Sequence, residues 1–161
     1  MGLDMYLSAK VIIPAVEWKD IFNSDREPVE NGTYKDIVDL LGLKEFMDAD
    51  KFSNSITVEV PVGYWRKANS IHGWFVRNAG SGDQDSGLFV DNEQLAELLE
   101  TCKEVLADRS KAMELLPPMG GFFFGSYEID EYYEEDLKHT VDILNRCLES
   151  PFNYFIYESS W

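Results

Sequence analysis

The chain of 161 residues carries 30 acidic and 14 basic side chains, giving a formal net charge of -16 and a sequence pI near 4.3. This excess of negative charge makes non-specific binding to nucleic acid phosphates unfavourable. The hydrophobic content of 45% argues against disorder, and no apolar run is long enough to span a bilayer. We therefore expect residues 1–161 to form one domain that makes no direct contact with nucleic acid or membrane.

The first half of the chain predicts two strands and one helix. Residues 3–13 alternate and are rich in strand formers, which predicts a strand that ends at Pro14. Residues 17–23 predict one or two helical turns, and a polar loop follows them. Thr33 is then a candidate N-cap for a helix that ends near Gly42. Residues 55–62 place four aliphatic side chains on one face, and Pro61 indicates an edge strand.

The second half predicts two long helices and a final strand. A loop at residues 78–87 precedes Asp91 and Gln94, whose spacing fits a capping box before a helix. A short helical turn at residues 111–116 ends at a proline pair, and apolar spacing predicts a long helix over residues 130–148. The aromatic segment 152–161 predicts a strand. These elements indicate an α+β fold: a single domain with a small, largely antiparallel sheet packed against four or five helices.

The start of the chain and its cysteines favour a cytoplasmic protein. The first ten residues lack the charged start and apolar core of a secretion signal. Cys102 and Cys147 lie in different predicted helices, each on an apolar stripe. We interpret them as reduced core thiols rather than a disulfide.

One stretch, YWRKANSIHGWF at residues 64–75, lies in a segment without acidic residues. No Asp or Glu occurs between Glu59 and Asp83, although the whole chain is strongly acidic. A basic patch of this kind is where an anion could bind, because the overall charge supplies no attraction.

The side chains of this stretch suggest a site for a phosphate-bearing ligand. On a helix beginning near Tyr64, Ala68, Ile71 and Phe75 would face the core, and Arg66 would lie on the solvent side. Arginine grips phosphate in a bidentate manner, and a helix N-terminus favours negative charge. We expect contributions to ligand binding from Tyr64, Trp65, Arg66, Lys67, Asn69, His72 and Trp74. The alternative is a half-buried amphipathic helix whose cations pair with surrounding carboxylates.

Other motifs are less specific. The glycine-bracketed segment 120–126 could bring backbone N–H groups near a ligand, with Phe124 and Ser126 lining the site, but it matches no phosphate or dinucleotide fingerprint. We therefore expect no cofactor. His72 and His139 alone cannot build a histidine-rich metal site, and we assign no catalytic or metal-binding residue. The acidic run at residues 128–136 is a solvated helix start, or else a metal-binding or DNA-mimicking face.

Four blocks spread over most of the chain resemble a family of small proteins encoded by bacteriophages, prophages and bacteria. The blocks are MGLDMYL, YWRKANSIHGWF, GFFFGSYEIDEYYEEDL and YESSW. The resemblance implies an accessory factor that acts against host defence in the host cytoplasm, and it implies no catalytic residues.

Three functions follow as expectations. The first is capture of a small anionic, nucleotide-like ligand by the basic stretch. The second is inhibition of a host defence protein by the acidic helices near residues 91–108 and 130–149, a complex that salt would weaken. The third is a metal-dependent hydrolase. A homo-oligomer is an open alternative, because the aromatic C-terminal segments suit a subunit interface as well as a core.

Overall fold

The computed structural model describes residues 2–17, 29–47, 54–79, 87–121 and 124–160. In chain order its strands are β1 Asp4–Pro14, β2 Val16–Glu17, β3 Val29–Glu30, β4 Ser55–Arg66, β5 Leu88–Val90 and β6 Phe155–Ser160. Its helices are α1 Gly32–Leu41, α2 Asn69–Asn78, α3 Asn92–Ala107, α4 Ala112–Leu115 and α5 Glu131–Glu149, with 3-10 turns at Leu43–Phe46 and Arg109–Lys111. The chain divides into two compact units, Met1–Lys10 with Val60–Trp161, and Val11–Glu59.

The larger unit contains most of a four-stranded sheet with the strand order β4-β1-β6-β5. β6 pairs antiparallel with β1, from Asp4 opposite Ser160 to Ala9 opposite Phe155, and pairs antiparallel with β5 on its other side. Alternate residues of β1, Met5, Leu7 and Ala9, are fully buried, as a strand with one face on a core requires.

The helices of the larger unit supply the rest of its core. α3 is the most regular: Asp91 and Gln94 form a complete capping box, and Leu95, Leu98 and Cys102 follow at helical spacing with no exposed surface. α3 packs against α5, whose Leu137 and Leu144 are also fully buried. Burial raises the pKa of the Cys102 thiol to about 12 and that of the Cys147 thiol to about 11, so both stay protonated.

The smaller unit has a small core of its own. Ala15, Tyr34 and Val38 are buried together, and the Tyr34 hydroxyl lies 2.7 Å from the Met47 sulfur. The two-residue strands β2 and β3 pair antiparallel, which the sequence pattern did not predict. α1 is capped by Asn31, whose side chain accepts from the Tyr34 N–H at 3.2 Å. The predicted cap, Thr33, is therefore wrong: it lies inside the helix.

The structure confirms the α+β fold class with a small antiparallel sheet. It also confirms the strand ending at Pro14, the capped helix after Asp91 and the long helix from residue 130.

The prediction for the basic stretch needs one correction, because Tyr64, Trp65 and Arg66 continue β4 and the helix begins only at Asn69. The helical turn predicted for residues 17–23 falls almost wholly outside the described residues. Of the loop predicted for residues 78–87, residues 80–86 lie outside them, and Asn78 is the last residue of α2. No helix in the described segments has the length and apolar character needed to cross a membrane.

Candidate functional site

A cleft of about 360 Å³ lies in the larger unit beside the junction of β4 and α2. Its two sides carry charges of opposite sign. The basic wall consists of Arg66, Lys67, Asn69 and Ser70, and the acidic wall consists of Glu128, Asp130, Glu135 and Asp136. The remaining lining residues are Gly125, Ser126, Tyr132 and Tyr133.

The basic wall is formed by an abrupt change from strand to helix at Lys67. The Lys67 N–H donates to the Leu3 carbonyl at 2.7 Å, which extends the pairing of β4 with the N-terminal strand by one residue. Lys67 then adopts φ +62°, and among the described residues it is the one non-glycine residue with positive φ. This left-handed conformation costs an L-residue about 1 kcal/mol, so the turn is strained.

Helix α2 begins without a side-chain cap, and its first residues are buried polar ones. Ala68 occupies the N-cap position and offers no side-chain hydrogen bond. Asn69 is only 5% exposed, and its amide donates to the carbonyls of Phe124 at 3.1 Å and Ser126 at 2.7 Å. Asn69 therefore holds residues 124–126 against the start of the helix.

Gly125 lets this loop approach Lys67 closely. Its φ is +99°, a conformation that L-residues rarely adopt. A Cβ at Gly125 would lie 3.3 Å from the Lys67 Cβ and 3.4 Å from the Lys67 carbonyl oxygen. The loop and the strained turn therefore fit against each other at the edge of the cleft.

The acidic wall is a capped helix start. Asp130 is the N-cap of α5 and accepts from the Tyr133 N–H at 3.1 Å, and the buried Tyr133 hydroxyl donates to the Leu116 carbonyl at 2.9 Å. Higher on the helix, Thr140 accepts from the Trp65 indole N–H at 2.9 Å and donates to the Asp136 carbonyl at 2.7 Å. This chain of hydrogen bonds fixes the end of β4 relative to α5, and hence fixes the distance between the walls.

The two walls do not neutralise each other. Arg66 makes a long ion pair with Asp4, at 3.9 Å between Nε and Oδ1, and its side chain is 63% exposed. Lys67 forms no ion pair within 4.0 Å in the described part of the chain. The same holds, within those segments, for the side chains of the acidic wall. Apart from the long Arg66–Asp4 pair, the charged side chains that line the cleft have no ion-pair partner within 4.0 Å among the described residues.

The half-buried Asp136 titrates unusually. Burial raises the pKa of its carboxyl from the ordinary 3.8 to about 6. This value includes an opposing effect of His139 and smaller upward contributions from the neighbouring carboxylates of Glu135 and Asp130. The acidic wall thus has one carboxyl that gains a proton only slightly below neutral pH.

The predicted site residues divide between the cleft and the core. Arg66, Lys67, Asn69 and Ser126 line the cleft. Trp65, Trp74 and Phe124 are less than 10% exposed and belong to the hydrophobic core. His72 is also buried: its Nδ1 hydrogen-bonds with the Tyr157 hydroxyl at 2.7 Å, and its ring meets Phe124 edge to face. Burial lowers the pKa of His72, which keeps the imidazole neutral.

Tyr64 lies in a different groove of the larger unit, about 540 Å³ in volume, together with Tyr6, His139 and Arg146. Its hydroxyl donates to Asp4 at 2.5 Å, and its ring is 5.3 Å from that of Tyr6. The His139 Nε2 donates to the Tyr64 carbonyl at 2.9 Å, so this nitrogen carries a proton. Tyr64 and the cleft residues are therefore not brought together.

Sequence reasoning missed that the acidic run faces the basic stretch. Glu128, Asp130, Glu135 and Asp136 follow the basic wall by about sixty residues, and no local pattern links the two segments. It also missed Tyr132, which lines the cleft and is 77% exposed. In the described segments, no group of three or more His, Cys, Asp or Glu side chains is arranged to hold a metal ion.

Comparisons with known proteins add no further assignment: no family model, no curated protein and no solved structure matches the chain.

Proposed function

We propose that this protein binds a small anionic, nucleotide-like ligand in the cleft, with the anionic group at Arg66 and Lys67. The observation that carries the proposal is the strained Lys67 turn. At this turn Lys67 lines the cleft with no ion-pair partner in the described segments, next to Arg66, whose side chain is mostly exposed. A phosphate between the two would gain charge-assisted hydrogen bonds from both cations.

Three further features of the cleft support this function. Its volume of about 360 Å³ is within the usual range for small-molecule sites, roughly 300–1,000 Å³. Ser126 adds a hydroxyl to the lining, and its oxygen accepts from the Glu128 N–H at 3.0 Å. The exposed ring of Tyr132 offers a surface on which a planar base would stack. If the chain is phage-encoded, as its resemblance suggests, such binding would lower the free concentration of a nucleotide signal in the host.

The experiment is titration calorimetry of the protein with inorganic phosphate, adenosine and guanosine monophosphates and a cyclic dinucleotide. We expect at least one of these probes to bind the parent. We expect Arg66→Ala to weaken that binding by roughly ten-fold to a hundred-fold, because a charge-assisted hydrogen bond is worth about 1.5–3 kcal/mol.

Arg77→Ala is the matched control, since Arg77 is an exposed arginine of α2 that does not line the cleft. It should bind like the parent. The proposal fails if the parent binds none of the probes, or if Arg66→Ala binds every one of them as tightly as the parent does.

A second function, inhibition of a host defence protein by the acidic helices, is favoured by the outward faces of α3 and α5. Glu93, Glu97 and Glu100 are exposed along α3, and Glu131 and Glu149 are exposed at the two ends of α5. For a partner bound there, Glu93→Lys with Glu97→Lys should abolish the complex, and raising the salt concentration should weaken it steeply. A complex indifferent to both changes would dismiss this function.

The third function, metal-dependent hydrolysis, is tested by incubating each bound nucleotide with Mg²⁺ or Mn²⁺ and analysing the products. We expect the nucleotide to be recovered unchanged. Turnover that Arg66→Ala abolishes would favour the hydrolase instead.

A further inference from the structure

The cleft combines two charged walls that face the same space without forming ion pairs across it. Arg66 pairs at long range with Asp4, and Glu134 of α5 pairs with Arg109 and Lys138 outside the cleft. Among the described residues, no carboxylate of the acidic wall lies within 4.0 Å of the Arg66 or Lys67 nitrogens.

Three sets of contacts fix the positions of the two walls. The Trp65–Thr140 hydrogen bond, 2.9 Å long, fixes the end of β4 to the middle of α5. The Asn69 amide fixes residues 124–126. Asp130 is committed to capping α5. Because the backbone on both sides is fixed, the cleft remains as a space with a positive side and a negative side.

Building on the proposed function, we infer that the ligand is bipolar, with one phosphate or carboxylate group at Arg66 and Lys67 and a nitrogen group rich in N–H donors at Glu135 and Asp136. Carboxylates are acceptors only, so they suit an ammonium, a guanidinium or the donor edge of a guanine base. A second phosphate placed at Glu135 and Asp136 would be repelled by their negative charges. The cleft therefore discriminates against polyphosphates and favours a single anionic group.

The perturbed titration of Asp136 agrees with this assignment. Its carboxyl is half-buried next to Glu135 and Asp130, and these surroundings disfavour its negative charge. A positively charged or N–H-donating group placed there would remove that cost. The ligand would thus add to the favourable interaction with which His139 already opposes the effect of burial on this carboxyl.

The test compares probes that carry one or both groups: inorganic phosphate, ethanolamine, O-phosphoethanolamine, and the monophosphates of guanosine and adenosine. We expect O-phosphoethanolamine or guanosine monophosphate to bind about ten-fold or more tightly than phosphate or ethanolamine alone. Tighter binding of the guanosine compound identifies a base edge as the donor group, and tighter binding of O-phosphoethanolamine identifies an alkylamine. Adenosine monophosphate lacks the paired N–H donors of guanine and should resemble phosphate.

Variants separate this inference from the proposed function. Asp136→Asn should weaken the bipolar probe by about ten-fold while leaving phosphate binding equal or stronger, since it removes a repulsive charge. Glu135→Gln should act in the same direction. Glu131→Gln, the same change at an exposed residue of α5 outside the cleft lining, should alter neither.

The inference is overturned if phosphate alone binds as tightly as every bipolar probe, or if both acidic-wall variants bind the bipolar probes like the parent. Either result leaves the anion site at Arg66 intact. Failure of every phosphate-bearing probe to bind the parent would instead overturn the proposed function and this inference together.

Discussion

The two walls of the cleft are built in contrasting ways. The acidic wall is the start of a regular helix: Asp130 caps it, and Glu131 and Glu134 in the first turn complement its dipole. The basic wall departs from the usual backbone conformation, helix capping and placement of polar side chains. Lys67 is left-handed, α2 has no side-chain cap, and the helix buries Asn69, Ser70 and His72 in its first turn.

This difference indicates which wall is explained by folding alone. Asp130 stabilises α5 whether or not a ligand exists, so its presence needs no function. Nothing in the stability of α2 calls for a lysine at a positive φ, where glycine would fit without strain. Departures from local rules concentrate at functional sites, and the basic wall fits that pattern.

The largest effect should come from the buried support of the basic wall. His72→Ala removes the hydrogen bond to Tyr157 and the edge-to-face contact with Phe124 in the buried part of the larger unit. We expect it to lower the free energy of unfolding by about 3 kcal/mol, measured by denaturant or thermal unfolding. Arg77→Ala on the same helix should change it little.

The sequence-based expectation that His72 contacts the ligand remains a prediction, and the same variant tests it. If His72→Ala retains the stability of the parent but no longer binds phosphate-bearing probes, His72 acts as a ligand contact. If stability falls while binding by the remaining folded protein persists, its role is to support the wall.

A smaller effect is expected at the acidic wall. The pKa of Asp136 is about 6 in the folded protein against an ordinary 3.8, so between these values the folded state binds more protons than the unfolded state. Stability therefore falls as the pH rises through this window. Asp136→Asn removes the effect and should be more stable than the parent at pH 7 by about 1–2 kcal/mol, reduced from the full conversion because the carboxyl is partly solvated.

Thermal unfolding of the parent and of Asp136→Asn from pH 4 to pH 7 checks this prediction. The advantage of Asp136→Asn should be largest at pH 7 and should disappear near pH 4. The charged groups that act on this carboxyl are His139, Glu135 and Asp130. Both proteins contain them, so comparing the pair isolates the contribution of Asp136 itself. An equal stability difference at every pH would show that Asp136 does not titrate as described.

Local patterns predicted the parts of the fold that local interactions determine. The Asp91 and Gln94 capping box, the strand ending at Pro14 and the apolar spacing of α5 all recur in the structure. The pattern predicts the cap wrongly at Thr33 because threonine and asparagine both suit an N-cap, and Asn31, two residues earlier, is the N-cap in the structure. The pattern also predicts a helix at Arg66, because it does not reveal where β4 ends.

The basic wall of the candidate site was predictable from the sequence, because it lies in one continuous segment. The absence of acidic residues between Glu59 and Asp83 indicated the basic wall directly. The acidic wall lines the same cleft because tertiary contacts join the two regions, among them the Trp65–Thr140 hydrogen bond between residues 75 positions apart. No local property of either segment encodes that contact, so the opposition of the two walls emerges only with the tertiary structure.

The most direct test of the central claim, that the basic wall serves binding rather than folding, is a paired measurement on Lys67→Gly. Calorimetry with guanosine monophosphate and thermal unfolding are carried out on the same sample, with Lys67→Ala as the matched variant that keeps the strain. We expect both variants to bind about ten-fold more weakly than the parent. Lys67→Gly should be at least as stable as the parent and about 1 kcal/mol more stable than Lys67→Ala. Undiminished binding by Lys67→Gly, or a clear loss of its stability, would contradict the claim.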